Sequence, residues 1–314
     1  MAQIANVLLP IFAVVALGAV VRRARFLPEH FFRDTNRLVY WVGIPAHLFY
    51  KSAEARLEGD AGVRLFLALA AGVLVSLAVG YLLGFLMRLP RGDVSAFVQG
   101  SFRGNLAYVG LPVVLLALAA HGARTPENEA LAVLCVAATI PLNNFVAVFV
   151  LVGGQPSEAR RLGQRVRELL FQLATNPLLL SCVAGLLVVA LGWKLPPPVR
   201  ETFKLVGDLA TPLALLGIGA SLTFRNLHST WPRVTVASFI KLVISPLTGL
   251  ALALPLRLTG VELQMALLYL ATPTATASYV MAQQAGADEN TAANIIVLTT
   301  FLSLPALALV LALT

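Results

Sequence analysis

The chain has 314 residues, 58% hydrophobic and 12% charged, with a mean hydropathy of +0.83. Soluble domains carry roughly twice that charged share, so the composition excludes a water-soluble globular protein and points to an all-α integral membrane protein. The formal net charge of +8 does not make nucleic acid a partner, because in such a chain the placement of Lys and Arg reports topology and contact with anionic lipid headgroups.

The apolar runs are long enough to cross a hydrocarbon core of roughly 30 Å as helices, and they lack the alternation of a membrane β-barrel. In chain order, the predicted spans cover 3–21, 34–50, 63–87, 94–120, 130–152, 175–192, 204–222, 234–256, 261–285 and 291–313. The first has no basic segment before it and is followed by Arg22, Arg23 and Arg25, which argues against a cleaved signal peptide and for a helix whose C-terminal end faces the cytoplasm. Pro45 and Pro212 interrupt the second and seventh spans. Lys and Arg favour the odd-numbered connections, among them 153–174 with Arg160, Arg161, Arg165 and Arg167. That bias predicts a multi-pass protein of the cell (inner) membrane with both termini extracytoplasmic. Cys135 and Cys182 fall in apolar spans, where a thiol reads as a small packing residue, and no disulfide or metal spacing is present.

The chain is written twice. "ENEALAVLCVAATIPLNNFVAVFVLV" from Glu127 matches "ENTAANIIVLTTFLSLPALALVLAL" from Glu289 in charge, apolar span and late proline. Pro28 with Pro196, Pro45 with Pro212, and Pro112 with Pro273 follow in the same order. The sequence therefore predicts a first repeat at 1–152, a cytoplasmic linker at 153–174 and a second repeat at 175–314. Five spans per repeat is an odd number, so the copies enter the membrane from opposite sides as inverted repeats, an architecture of secondary transporters.

Within each repeat the fourth span is the interrupted one. "SFRGNLAYVGLPVV" carries Gly110 and Pro112, and "LATPTATASYV" carries Pro273. Proline removes an N–H and clashes with the preceding turn, so a helix divided there leaves backbone groups that lipid cannot satisfy. Two such breaks at matched positions point to a binding site near the bilayer midplane, whereas a lone proline reads as a kink in a packed helix. The half-helix that starts after each break offers N–H groups to an anion, and Thr272 and Thr274 suit a helix cap beside Pro273.

At these residues the chain resembles the auxin efflux carrier family of membrane transporters, which spans bacterial carriers and the plant PIN proteins. The resemblance covers the whole chain and rests on "FRGNLAYVGLPVV" and "ATPTATASYVMAQQAG". It implies a fold similar to the bile-acid sodium symporters, with ten transmembrane helices, helices 4 and 9 broken and crossing. Spans 1, 2, 6 and 7 would then form a scaffold and the others a transport domain. It also implies transport of small organic anions. The short central loop fits a bacterial-type carrier, not the plant members with a long one.

Several polar residues become candidates. Asn105 resembles the family's crossover asparagine and reads either as a substrate contact or as a cap on the crossover; its amide offers both donor and acceptor. Asn143 and Asn144 face directions about 100° apart on a helix, so one can line a cavity while the other joins helices. Tyr108, Gly110, Pro112, Thr272, Pro273 and Thr274 complete the expected substrate-binding set. Arg103 reads as an anion-attracting residue or a structural one, with snorkelling open to it. Lys241 resembles a lysine of plant relatives that takes the space of a cation in the sodium symporters. Snorkelling is the alternative, and the third span contains no acid after Arg64 to pair with it.

No nucleotide-binding, zinc or nucleophile motif is present, so neither an enzyme nor a cofactor is expected. The expectation is a secondary carrier of small organic anions, carboxylates above all, working by elevator-like alternating access. The expected partners are that anion and membrane lipid, with a homodimer as one option for assembly. The rivals are a sodium-coupled symporter of the bile-acid type and a membrane sensor or scaffold that binds without transporting.

Overall fold

The computed structural model describes residues 2–54, 60–153, 171, 174–175, 177–222 and 227–314. Among these the regular structure is helical, apart from one isolated antiparallel bridge between Gly104 and Thr274. Inside hydrocarbon there is no water to satisfy backbone groups, and the helix satisfies them within one segment. Among the described residues, six helices are long and apolar enough to cross a membrane: Ile4–Arg23, Ala61–Leu86, Pro126–Leu151, Pro197–Ser221, Thr230–Ala251 and Glu289–Leu313. They correspond to the expected spans 1, 3, 5, 7, 8 and 10. The fourth and ninth contribute the shorter apolar helices Leu106–Ala120 and Gly260–Leu270. The four arginines expected to make 153–174 cytoplasmic lie outside the described residues.

Among the described residues, three single turns are π-helical, at Val39–Gly43, Leu106–Gly110 and Ile240–Ile244. Each ends two residues before a proline: Pro45, Pro112 and Pro246. A proline lacks the N–H that closes an α-turn and its ring presses on the carbonyl four residues back, and a wider i→i+5 turn accommodates both. The fourth span is therefore not broken at Gly110 and Pro112, as the sequence suggested. Gly110 ends a π turn and Pro112 opens the helix Leu111–Ala120 that continues from it.

The chain divides into two compact units, each drawing on both halves of the sequence. The first consists of Met1–Gly62, Ala107–Pro141 and Phe171–Ser221. In it Ala2–Arg23 packs along Ala210–Ser221, and Ile44–Ala53 along Pro177–Ala190. Small residues let the first pair touch backbone to backbone, since a Cβ on Gly219 would stand 1.8 Å from the Val15 carbonyl oxygen. Ion pairs join its connections: Lys51 with Glu129 at 2.5 Å, and Arg200 with Glu54 at 2.5 Å. The family resemblance implied spans 1, 2, 6 and 7 alone for such a unit. Here 107–141 joins them, because Leu111–Ala120 packs on Ala2–Arg23.

The second unit consists of Val63–Leu106, Leu142–Leu170 and Leu222–Thr314. Its core gathers Phe97, Phe102, Val150, Val234, Ile240 and Ile295 from four helices. Two ion-pair sets tie helix starts together. Arg64 meets Glu262 at 2.7 Å, and Glu262 also closes a capping box with Thr259. Arg233 holds both Asp93 and, at 2.9 Å, Asp288, which caps Glu289–Leu313.

Candidate functional site

The site begins where the helix Arg91–Phe102 stops. Arg103 takes an extended conformation, with φ −78° and ψ 97°, and the chain resumes helical turns only at Leu106. In the ninth span Gly260–Leu270 stops likewise, and Ala277–Gln284 follows after six non-helical residues. The two breaks pair with each other. The Asn105 N–H donates to the Pro273 carbonyl at 2.8 Å and the Ala275 N–H donates to the Arg103 carbonyl at 2.9 Å.

A shift of 170 residues converts the first of these bonds into the second, because Asn105 maps onto Ala275 and Arg103 onto Pro273. The same shift relates the carbonyls at the ends of the two preceding helices. Gly100 C=O accepts from Thr274 Oγ1 at 2.7 Å, and Leu270 C=O accepts from Lys241 Nζ at 2.5 Å. Orphan groups of a broken helix thus find partners inside the protein, as burial requires. Pro273 thus meets Asn105, seven residues before Pro112. A side chain at Gly104 would force Thr272 to shift, since a Cβ there would sit 2.7 Å from Thr272 Oγ1.

Thr272 and Thr274 do not cap the following helix. Thr272 Oγ1 donates to Tyr269 C=O at 2.7 Å, while the Thr274 N–H donates to Thr299 Oγ1 at 3.0 Å. The helix starts later, with Thr276 at its N-cap and no side-chain bond to it. Their short polar side chains serve the break itself.

The cations are buried. Arg103 is 6% exposed and Lys241 1% exposed, so neither snorkels. Arg103 Nη2 donates to Asn144 Oδ1 at 2.6 Å, and Nη1 lies against Met281 Sδ. Lys241 donates to the Leu270 carbonyl, and no carboxylate among the described residues pairs with it.

Of the three asparagines, Asn144 is thus engaged by Arg103. Asn143, 3% exposed, keeps its Oδ1 without a partner among the described residues. Asn105, 4% exposed, uses its backbone in the bridge, and its side-chain amide has no hydrogen bond among the described residues. An amide held in this way is available to a ligand. Arg103, Asn105, Asn143, Asn144, Lys241, Thr272, Pro273 and Thr274 all belong to the second unit; Tyr108, Gly110 and Pro112 belong to the first. Sequence reasoning missed Gln99 and Ser278, which are fully buried beside this cluster. The available signal was a glutamine one helical turn before Arg103 in an otherwise apolar stretch.

A family described as membrane transport protein matches residues 154–311. The chain is 26% identical over 307 residues to a Rhizobium meliloti protein named "Putative malonate transporter", covering 96% of this chain and 93% of that one. An uncharacterized transporter of Methanocaldococcus jannaschii is 25% identical, with 97% and 96% covered. Another, YfdV of Escherichia coli, is 24% identical, with 88% and 87% covered.

Proposed function

We propose that this chain, which belongs to the membrane transport protein family and to the auxin efflux carriers that its sequence resembles, is a secondary carrier of small carboxylates. The paired breaks carry this reading. Two helices that each stop and pair through one antiparallel bridge support ten spans arranged as inverted repeats, with helices 4 and 9 crossing at Gly104 and Thr274. Ion pairs support the span count as well. Within the first unit, Lys51 with Glu129 and Arg200 with Glu54 join the even-numbered connections 2, 4 and 6. Within the second, Arg233 joins the odd-numbered 3, 7 and 9.

An inverted pair has two nearly equivalent states, one open to each side of the membrane, and movement of one unit against the other interconverts them. Substrate recognition falls to the free amides of Asn105 and Asn143 and to the fixed charge of Arg103, all in one unit. A carboxylate suits Asn105 and Arg103, because amide and guanidinium N–H groups donate and a carboxylate only accepts; the unpartnered Oδ1 of Asn143 would take a donor of the substrate. The relative named for malonate supports a dicarboxylate within that class. Lys241 places an ammonium at the carbonyl end of Gly260–Leu270, where a free cation would otherwise be favoured. That supports transport without sodium, driven by membrane potential or protons.

The test is carboxylate binding to the purified protein, with malonate and acetate as probes. Malonate is expected to bind, and Asn105→Ala to lower its affinity roughly ten- to hundredfold, the worth of one hydrogen bond to a charged group, with an unchanged melting temperature. Native affinity in Asn105→Ala would remove that residue from the site and leave it the role of a cap.

A further inference from the structure

We propose that the carried species is a monoanion with a carboxylate at one end and a hydrogen-bond donor at the other, for malonate its monoprotonated form, and that Asn143 Oδ1 accepts from that donor. The assignment deepens the carboxylate-carrier reading and rests on it. Asn143 lies on Pro126–Gly153, next to Asn144, whose Oδ1 accepts from Arg103 at 2.6 Å. It is 3% exposed, and its Oδ1 is fully buried with no hydrogen bond among the described residues. Buried amide oxygens are bonded as a rule, because one left without a donor forfeits the hydrogen bond that water gave it.

The polar neighbours on the page do not answer it. Ser278 Oγ, at the start of Ala277–Gln284 and 1% exposed, is likewise without a bond among the described residues, so the two side chains do not pair. Pro141, two residues earlier on the same helix, brings no N–H. The donor therefore comes with what binds. Water at Oδ1 is the competing answer, and it makes no distinction between ligands.

The ligand chemistry follows from the acceptor. A carboxylate only accepts. A fully ionised dicarboxylate can take the N–H groups of the Asn105 amide, 4% exposed, but at Asn143 it sets oxygen against oxygen. The monoprotonated form carries one O–H for Oδ1, while its remaining carboxylate keeps the negative charge. A carrier of that species moves one proton with each molecule, taken up from water on one side and released on the other. The proton is part of the cargo.

The experiment is binding of malonate, malonamate and monomethyl malonate to the purified full chain at two pH values. Malonamate replaces one carboxyl by a carboxamide and carries N–H donors at every pH, whereas the ester carries acceptors only. Above the pKa of its second carboxyl, the monoprotonated share of malonate falls about tenfold per pH unit, and its apparent affinity is expected to fall in proportion. Malonamate is expected to change less than about twofold with pH and to bind at least about tenfold more tightly than the ester. It also controls for titration of the protein. The nearby cations, Arg103 and Lys241, whose Cε would stand 3.4 Å from a Cβ at Gly104, would act on malonamate as on malonate.

Asn143→Leu keeps the bulk and removes the acceptor. It is expected to bring malonamate and the ester within about threefold of each other by lowering malonamate affinity alone. A packing role would lower both together, and discrimination retained in Asn143→Leu would overturn the assignment to Asn143. The native chain decides the matter without the variant, should that not fold. Equal binding of malonamate and the ester, or malonate affinity unchanged by pH, would overturn the proposal and leave the carrier reading intact. Failure of the native protein to bind any of the three would overturn both.

Discussion

Gly104 and Thr274 face each other across the one antiparallel bridge among the described residues, and they stand 170 residues apart in the chain. A Cβ at Gly104 would lie 2.7 Å from Thr272 Oγ1, so that a larger residue there displaces Thr272. Gly104→Ala is expected to lower stability by about 1–3 kcal/mol, the cost of overpacking a tight site. Gly92→Ala is the control: it meets nothing within 4 Å and lies in a helix, so it is expected to be neutral or slightly stabilising. Thermal unfolding of the two purified variants checks both.

Arg233 answers two carboxylates, Asp93 and Asp288. Removing Arg233 leaves Asp93 and Asp288 facing each other without their shared cation. Arg233→Ala is expected to cost on the order of 1–3 kcal/mol, a difference that shrinks in high salt. An unchanged melting temperature in Arg233→Ala would show that the shared cation contributes nothing.

Lys241→Met keeps the length of the side chain and removes its donor. The Leu270 carbonyl then loses its partner, so a destabilisation of about 1–3 kcal/mol is expected. Exchanging sodium for choline is expected to leave the native melting temperature unchanged, since the ammonium already occupies the carbonyl end. A sodium-dependent rise in the native protein would favour a coupled symporter.

The connection 153–174 is expected in the cytoplasm from its arginines. A cysteine at Ser157, in a background lacking Cys135 and Cys182, should resist impermeant thiol reagents in intact cells. Ready labelling from outside would invert the topology.

Much of this was legible in the amino-acid order. Apolar run length located the long helices, and the repeat marked the fourth and ninth spans as the interrupted ones. The break at Pro273 was found because proline ends a helix on local chemistry alone. The same rule misplaced the first break, since the π turn at Leu106–Gly110 absorbs Pro112. The true marker was Arg103-Gly104-Asn105, whose polarity was noticed and whose extended backbone pairs with Pro273–Ala275, far away in the chain. Burial of Arg103 and Lys241 was equally unreadable, because Met281 and Leu270, which receive them, are distant in sequence. Of the adjacent asparagines, only packing decides that Asn144 meets Arg103 and Asn143 does not.

The most direct measurement is malonate flux in proteoliposomes containing the purified protein, with membrane potential, sodium and pH gradients imposed one at a time. A potential acts on a carried anion with about 2.3 kcal/mol per elementary charge per 100 mV. The expected result is saturable flux that follows an imposed electrical or proton gradient, persists when choline replaces sodium, and falls in Asn105→Ala. Malonate binding without flux under any gradient would contradict the carrier and leave a sensor, and a strict sodium requirement would contradict the role given to Lys241.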